Sequence, residues 1–385
     1  MPYNFDQSID RRQTESSKWH KYDPDVLPLW VADLDFVSPE PVRKALHDRI
    51  DHGIFGYGSI MPEFYEVMLD HLYQRYGWRV EPDAFVPLPG VVTGFNLACR
   101  AVASPGDGVL LQTPLYPPML KLSGNIGLHA DLMPLTPGAD GQYASDIEIF
   151  AATIQPHTRV FVLCNPHNPV GRVFQSHELA QMAELCLRHD LIICADEIHC
   201  DILFDQHRHT PIASLAPEIA SRTITLMAPS KTYNLAGLKC AFAIIPNAAL
   251  RDQFVAQRLD LVSRTTNILG ATAAMAAYRD GQPWLEELLR YLEANRDAVQ
   301  QYVETQLPGI TMGSPEGTYL AWLDCRQASI PQGDPHTFFL ERARVALNDG
   351  QAFGPGGRGF VRLNFGCPRS LLLQALDRMR EALTT

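Results

Sequence analysis

No apolar run in this chain approaches the ~18 residues that span a bilayer, and the polar start MPYNFDQSIDRRQ lacks the hydrophobic stretch of a signal peptide. Neither membrane insertion nor export is therefore expected, and the chain reads as cytoplasmic. Basic charge is also short. Against 43 Asp and Glu there are 32 Lys and Arg, a formal charge of −11, and the cations are scattered, so no stripe exists for nucleic acid. The eight cysteines form no CxxC pair and stand mostly in apolar surroundings, where a thiol packs as a small hydrophobe. Disulfides and zinc are both disfavoured. One metal-like cluster, HCDILFDQHRH with His199, Asp201, His207 and His209, matches no common ligand spacing, and a solvated loop accounts for its last two histidines. Repeats and low-complexity tracts are missing as well.

What remains is a chain of 385 residues, 46% hydrophobic, with 29 prolines and 26 glycines spread along it. That is enough for a large α/β domain carrying a smaller lobe. Short apolar runs recur between turn residues: GVLLQ (108–112), RVFVLC (159–164), LIICAD (191–196), TITLMA (223–228) and AFAIIP (241–246). Their β-branched character suits strands covered on both faces, as in a parallel sheet. Helical patterns lie between them, such as SHELAQMAELCLRH (176–189), where Ser176 is expected to cap and Glu178 to support the first turn. After a small-residue helix, ILGATAAMAAY (268–278), the pattern changes to one long amphipathic helix (284–307), two strands, TYLAWLDC and FVRLNFG, and a terminal helix. The expected division is an N-terminal segment (1–50) packed on the small lobe, a large lobe (51–283) and a small C-terminal lobe (284–385).

Four stretches fall where α/β sheets gather ligands, beyond the carboxyl ends of strands. In PLPGVVTGFNLACRAV, a Pro-Gly turn opens a helix whose first amides, at Val91 and Val92, have no intrahelical partners and suit a phosphate. In CNPHNPVGRVF, Asn168 can offer an amide to a ligand oxygen. In CADEIHCDILF, Asp196 ends an apolar strand and needs a partner for its carboxylate. In LMAPSKTYNLAGLKCAF (226–242), Lys231 follows a buried strand. Each has an ordinary explanation alone: a turn glycine, an Asx-turn, a helix cap, an exposed loop lysine. Together they supply what pyridoxal phosphate requires: a helix terminus for its phosphate, an acid for its ring nitrogen, an amide for its ring hydroxyl and an amine for its aldehyde.

This ordered set resembles the fold type I pyridoxal-phosphate enzymes of the aspartate aminotransferase superfamily over nearly the whole chain. The resemblance implies a three-layer αβα large domain with a mostly parallel sheet, plus a smaller α+β domain. It assigns Lys231 to the aldehyde, Ser230 and the Val91–Val92 amides to the phosphate, Asp196 to the ring nitrogen, Asn168 to the ring hydroxyl and Tyr116 to stacking on the ring. Lys239 stands where relatives often have a phosphate-pairing arginine, which keeps the charge and loses the bidentate fork. Arg362, inside the apolar strand of GFVRLNFG, matches the clamp for a substrate α-carboxylate. The glycine-rich FGPGGRGF precedes a strand instead of opening a helix, so it is not read as a dinucleotide motif.

Within the superfamily, LPLWVADLDFVSPEPVRKAL, HGIFGYGS and ADEIHCD resemble the cystathionine β-lyase or C–S lyase branch, the MalY/PatB group. Many aminotransferases have a tyrosine where this chain has His199, close to the ring hydroxyl. Tyr57 resembles the residue that reaches the phosphate of a neighbouring subunit, which implies a homodimer with shared sites. Lys231, freed by an amino-acid substrate held through Arg362, would remove the α-proton, and its pKa must fall from ~10.4 to do so. Two outcomes then exist: expulsion of a thiolate from Cβ, ending in pyruvate and ammonia, or transamination. The branch resemblance favours the first, with a small amino-acid thioether as substrate and neither membrane nor nucleic acid as partner. An aminotransferase and a coenzyme-binding regulatory protein are the alternatives. Trp30, Tyr319 and Trp322 are the expected pocket walls.

Overall fold

The computed structural model describes residues 3–259, 262, 267–330 and 334–384. Its central sheet has seven strands: β1 (Phe85–Leu88), β2 (Gly108–Thr113), β3 (His129–Pro134), β4 (Thr158–Cys164), β5 (Ile192–Asp196), β6 (Thr223–Met227) and β7 (Ala241–Ile244). Their spatial order is β1-β7-β6-β5-β4-β2-β3. Neighbours pair in parallel except β7, which runs antiparallel to both β1 and β6. The longer helices are α1 (Glu40–Asp51), α2 (Pro62–Tyr76), α3 (Val91–Val102), α4 (Ser176–Arg188), α5 (Ala248–Ala256), α6 (Ile268–Asp280), α7 (Gln282–Gln306) and α8 (Arg369–Thr384).

Alternation along the strands divides their side chains between two helical layers. Val109, Leu111, Val160, Val162 and Cys194 pack with Phe95 and Ala98 of α3 and with Phe254 of α5. Their sequence neighbours Leu110, Phe161, Leu163, Ile193 and Ala195 face Leu179, Met182 and Leu185 of α4. Both faces are covered, which is why these strands read as unbroken apolar runs. Each fully buried Leu or Met of α4 contributes about 2 kcal/mol on transfer from water. That helix starts one residue earlier than a Ser176 cap would place it: Gln175 is the cap, and its amide N–H donates to Glu178 at 2.7 Å.

A second, antiparallel sheet is ordered β8-β9-β11-β10, from β8 (Thr311–Met312), β9 (Leu320–Asp324), β10 (Asn348–Asp349) and β11 (Phe360–Asn364). It shares a core with Leu285, Leu288 and Leu292 of α7 and Leu372 and Leu376 of α8. The N-terminal segment joins the same core through Leu27, Leu29, Leu34 and Phe36. Leu27–Pro28 pairs in parallel with Val345–Ala346, and the Asn364 amide donates to the Leu29 carbonyl at 2.9 Å. The chain from Trp30 to Phe36 is thereby carried across the end of β11 towards the central sheet.

Candidate active site

Leu88, Thr113, Cys164, Asp196 and Met227 end strands that run the same way, so the loops leaving them collect on one edge of the central sheet. Beyond that edge lies a cavity of about 600 Å³. Its floor carries Val91 and Val92 at the start of α3, with Tyr116 and Asn168 from the loops after β2 and β4. Asp196 and His199 come from the end of β5, and Ser230, Lys231 and Lys239 from the segment after β6. The opposite wall is Trp30, Val31 and Ala32 of the N-terminal segment, with Asn348 of β10 and Arg362 of β11.

The first turn of α3 opens towards the cavity. Its first intrahelical bond is Gly94 to Gly90 at 3.1 Å, so the amides of Val91, Val92 and Thr93 lie ahead of the ladder and are directed outwards. Lys239 is held in the left-handed region at φ 55°, a conformation that costs a non-glycine residue about 1 kcal/mol and brings its cation to the cavity mouth. Tyr116 is half-buried, and burial together with Asp196 keeps its phenol protonated.

The charges around the cavity are poorly compensated. Burial raises the Asp196 carboxyl to about 7; its one hydrogen bond, from the Ile198 amide at 3.1 Å, and nearby Lys231 pull it back only in part. Lys231 is pushed down to about 8, first by removal from water and then by the positive charge of Arg362. Its amine donates to the Ala32 carbonyl at 2.6 Å. Burial likewise lowers Arg362 to about 10. The guanidinium donates to Asn168 Oδ1 at 2.8 Å, to the Trp30 carbonyl at 3.0 Å and to Asn348, lies 5.0 Å from the Phe353 ring centre, and has no carboxylate partner among the described residues. His199 is buried against Tyr319 with its Nδ1 unpartnered, and burial beside two cations holds the ring neutral. A buried arginine with no carboxylate partner among the described residues and a buried acid only partly offset by a cation are costly unless a ligand supplies the missing charge.

Three expected residues are placed elsewhere. Tyr57 is fully exposed and forms no part of the cavity within this chain. Trp322 does not line it either: its ring stacks on Phe360 at 5.1 Å and faces a separate groove beside Tyr143 and Arg326. Tyr319 lies behind the wall, its hydroxyl donating to the Ala32 carbonyl at 3.2 Å. His209 is not a solvated loop residue, since it is buried and meets Glu197 at 2.9 Å. Among the described residues no group of three His, Cys, Asp or Glu has a metal-binding arrangement, and no helix is long and apolar enough to cross a membrane. All eight cysteines are buried, and none is joined in a disulfide among the described residues. Sequence reasoning missed Thr93, Asn348, Phe353 and the Ala32 carbonyl. Only Thr93, in the first turn of a helix already singled out, carried a local signal.

Residues 24–379 match the aminotransferase class I and II family, and the chain belongs to that family. It is 39% identical over 387 residues to cystathionine beta-lyase PatB of Bacillus subtilis, covering 99% of this chain and 100% of that protein. The crystal structure of OvoB superposes with a TM-score of 0.95 at 42% identity, over 100% of both chains. Cystalysin from Treponema denticola, whose structure contains a pyridoxal 5'-phosphate cofactor, superposes with a TM-score of 0.96 at 30% identity, over 100% of this chain and 99% of that one. The fold is accordingly that of the type I pyridoxal-phosphate enzymes.

Proposed function

We propose that this protein is a pyridoxal-phosphate-dependent C–S lyase that cleaves L-cystathionine or a related cysteine S-conjugate to a thiol, pyruvate and ammonia. The observation that carries it is the meeting, in one cavity, of an amine brought down to about 8 and a buried guanidinium with no carboxylate partner among the described residues. Likeness over the whole chain to a cystathionine beta-lyase selects the branch.

The residues present fit the coenzyme. An acid held at about 7 by burial gains a counter-ion from a protonated ring nitrogen, and the outward amides of α3 with Ser230 and Lys239 suit a phosphate. Asn168 and the neutral His199 would meet the ring hydroxyl, and Tyr116 the ring face. When bound, pyridoxal phosphate supplies an aldehyde that condenses with amines and a cationic ring that draws electrons from the bond being broken. Arg362 anchors the substrate carboxylate through the donor face left by Asn168 and Asn348. Lys231, a base near neutral pH, accepts the Cα proton and can return it to the departing sulfur. Trp30 and Val31 limit water on that side.

The same proposal includes the division at 1–50, 51–283 and 284–385, supported by the separate cores of the two sheets. It also includes a homodimer in which Tyr57 enters the neighbouring site, supported by the exposure of Ile54, Phe55, Tyr57 and Met61 in one stretch. A cytoplasmic location agrees with eight cysteines outside any disulfide among the described residues. The test is incubation of the coenzyme-loaded protein with L-cystathionine and with S-alkyl cysteines, measuring pyruvate and free thiol. Keto acid formed only when a 2-oxo acid acceptor is added would make it an aminotransferase. Mixing Tyr57→Ala with Lys231→Ala protein should restore part of the activity through hybrid dimers; two inactive proteins that stay inactive on mixing would reject the shared site.

A further inference from the structure

Backbone carbonyls of an irregular segment beside a cavity ordinarily turn to water. Those of Trp30 to Leu34 are instead taken one by one by side chains. The Trp30 carbonyl accepts from Arg362 at 3.0 Å. The carbonyls of Val31 and Asp33 both accept from Asn364 Nδ2, at 2.6 and 2.7 Å. Asn234 Nδ2 donates to Leu34 and Phe36, each at 2.9 Å. Between the two Asn364 contacts lies the Ala32 carbonyl, which accepts from Lys231 Nζ at 2.6 Å and from the Tyr319 hydroxyl at 3.2 Å.

Asn364 is fully buried, and its Oδ1 accepts from the Gly366 amide at 2.7 Å, which turns Nδ2 towards the segment. The approach is tight: a Cβ on Gly366 would fall 2.5 Å from Leu34 Cδ2. Asn364 stands two residues after Arg362, and Asn234 three after Lys231. The two elements that carry the substrate clamp and the reacting amine therefore also carry the amides that fix the segment between them.

We propose that the Ala32 carbonyl is the seat that receives the Lys231 amine whenever it is not bonded to the coenzyme, and that Asn364 is the positioning residue that sets this seat. The seat presupposes the role of Lys231 proposed above and adds where its amine rests. Facing that amine are Arg362 and Lys239, which oppose its charge, and Asp33 and Asp196, which favour it. The neutral His199 and the Tyr319 hydroxyl complete the surroundings. A carbonyl in line with an ammonium N–H steadies the protonated form. During elimination the Cα–H pair becomes the Cα–Cβ double bond and the C–S pair leaves on sulfur. The proton waits on Nζ, hydrogen-bonded to Ala32, until it passes to the thiolate, so Lys231 ends as it began.

The test reads the amine directly. The full chain, in its coenzyme-free form, is labelled with acetic anhydride across a pH series, and acetylation of the Lys231 peptide is measured by mass. The wild-type midpoint is expected near 8, where burial brings this amine. Asn364→Ala lets the carbonyl swing away and should lower the midpoint by about one unit. Tyr319→Phe removes the competing donor from the same oxygen and should raise it by about half a unit. Opposite shifts support the seat, since general loosening would move both the same way. Midpoints that stay put, or move together, overturn it. If Asn364→Ala does not fold, Tyr319→Phe decides alone, and an unmoved or lowered midpoint overturns the proposal. The labelling needs no turnover, so opposite shifts in a protein that releases no thiol would reject the lyase while keeping the seat.

Discussion

Two sets of buried charges lie within this fold, one around the cavity and one beside it, and they are treated in opposite ways. Lys18 and Asp35 are both buried, yet Lys18 is raised and Asp35 lowered, because each outweighs its own burial with the other at 2.6 Å. Arg11 at 2.7 Å and the Trp19 indole at 3.0 Å complete the coordination of Asp35. Asp201 is likewise kept below the usual carboxylate range by His71, Arg75 and Tyr76 in spite of burial. Around the cavity the sign reverses: Asp196 goes up, Lys231 and Arg362 go down. Paired charges hold the fold, whereas unpaired ones wait for a ligand.

The largest expected effect tests that division at the cavity. Lys231→Ala should reduce thiol release by roughly four orders of magnitude, while urea melts of the coenzyme-free chain show no loss of stability, because a poorly compensated, half-buried cation has gone. A drop in stability comparable to that of a core deletion would erase the contrast.

The converse change is Asp35→Asn. It leaves Lys18 buried with only the more distant Asp33, at 3.4 Å, and should cost about 3 kcal/mol in urea unfolding. An intact stability would mean that the pair is not the structural partner of the site.

A pH series sharpens the comparison further. Because the folded Asp196 titrates near 7, above its unfolded value, the folded coenzyme-free chain binds more protons than the unfolded one across the interval between them. Asp196 therefore makes stability fall as pH rises from about 4 to 7. Asp35, lowered in the fold, acts the other way: its contribution is present above about 4 and is lost as acid protonates it. Asp196→Asn should flatten the decline towards pH 7 in chemical denaturation, and an unchanged slope would contradict it. At the small end, Glu184→Ala breaks an exposed pair with Arg188 and should shift unfolding by no more than about 0.5 kcal/mol.

The contrast between paired and unpaired charge was only half legible in the sequence. Asp196, Lys231 and Arg362 stood out because each ends, follows or interrupts an apolar strand, a local feature. Lys18 and Asp35 drew no notice, since nothing in KWHKYD or ADLDF says that a charge there will be buried. Trp322 failed as a wall residue for a related reason. It is the cross-strand partner of Arg362, and proximity in a sheet did not tell which cavity its ring would face. The antiparallel course of β7 was equally hidden, because AFAIIP is covered on both faces like its parallel neighbours.

By itself the sequence determined the αβ alternation, the strand-end motifs, the kinship with a coenzyme-dependent family and the choice of Lys231 as the amine to propose. These depend on residues close together in the chain, where propensity, turn chemistry and strand ends act locally. Only the tertiary structure decided which oxygen meets that amine and which charges are left without partners. Those facts join residues 199 apart, as Lys231 and Ala32, or 333 apart, as Asn364 and Val31, and such pairings are set by how two sheets and an N-terminal segment pack, not by any run of neighbours.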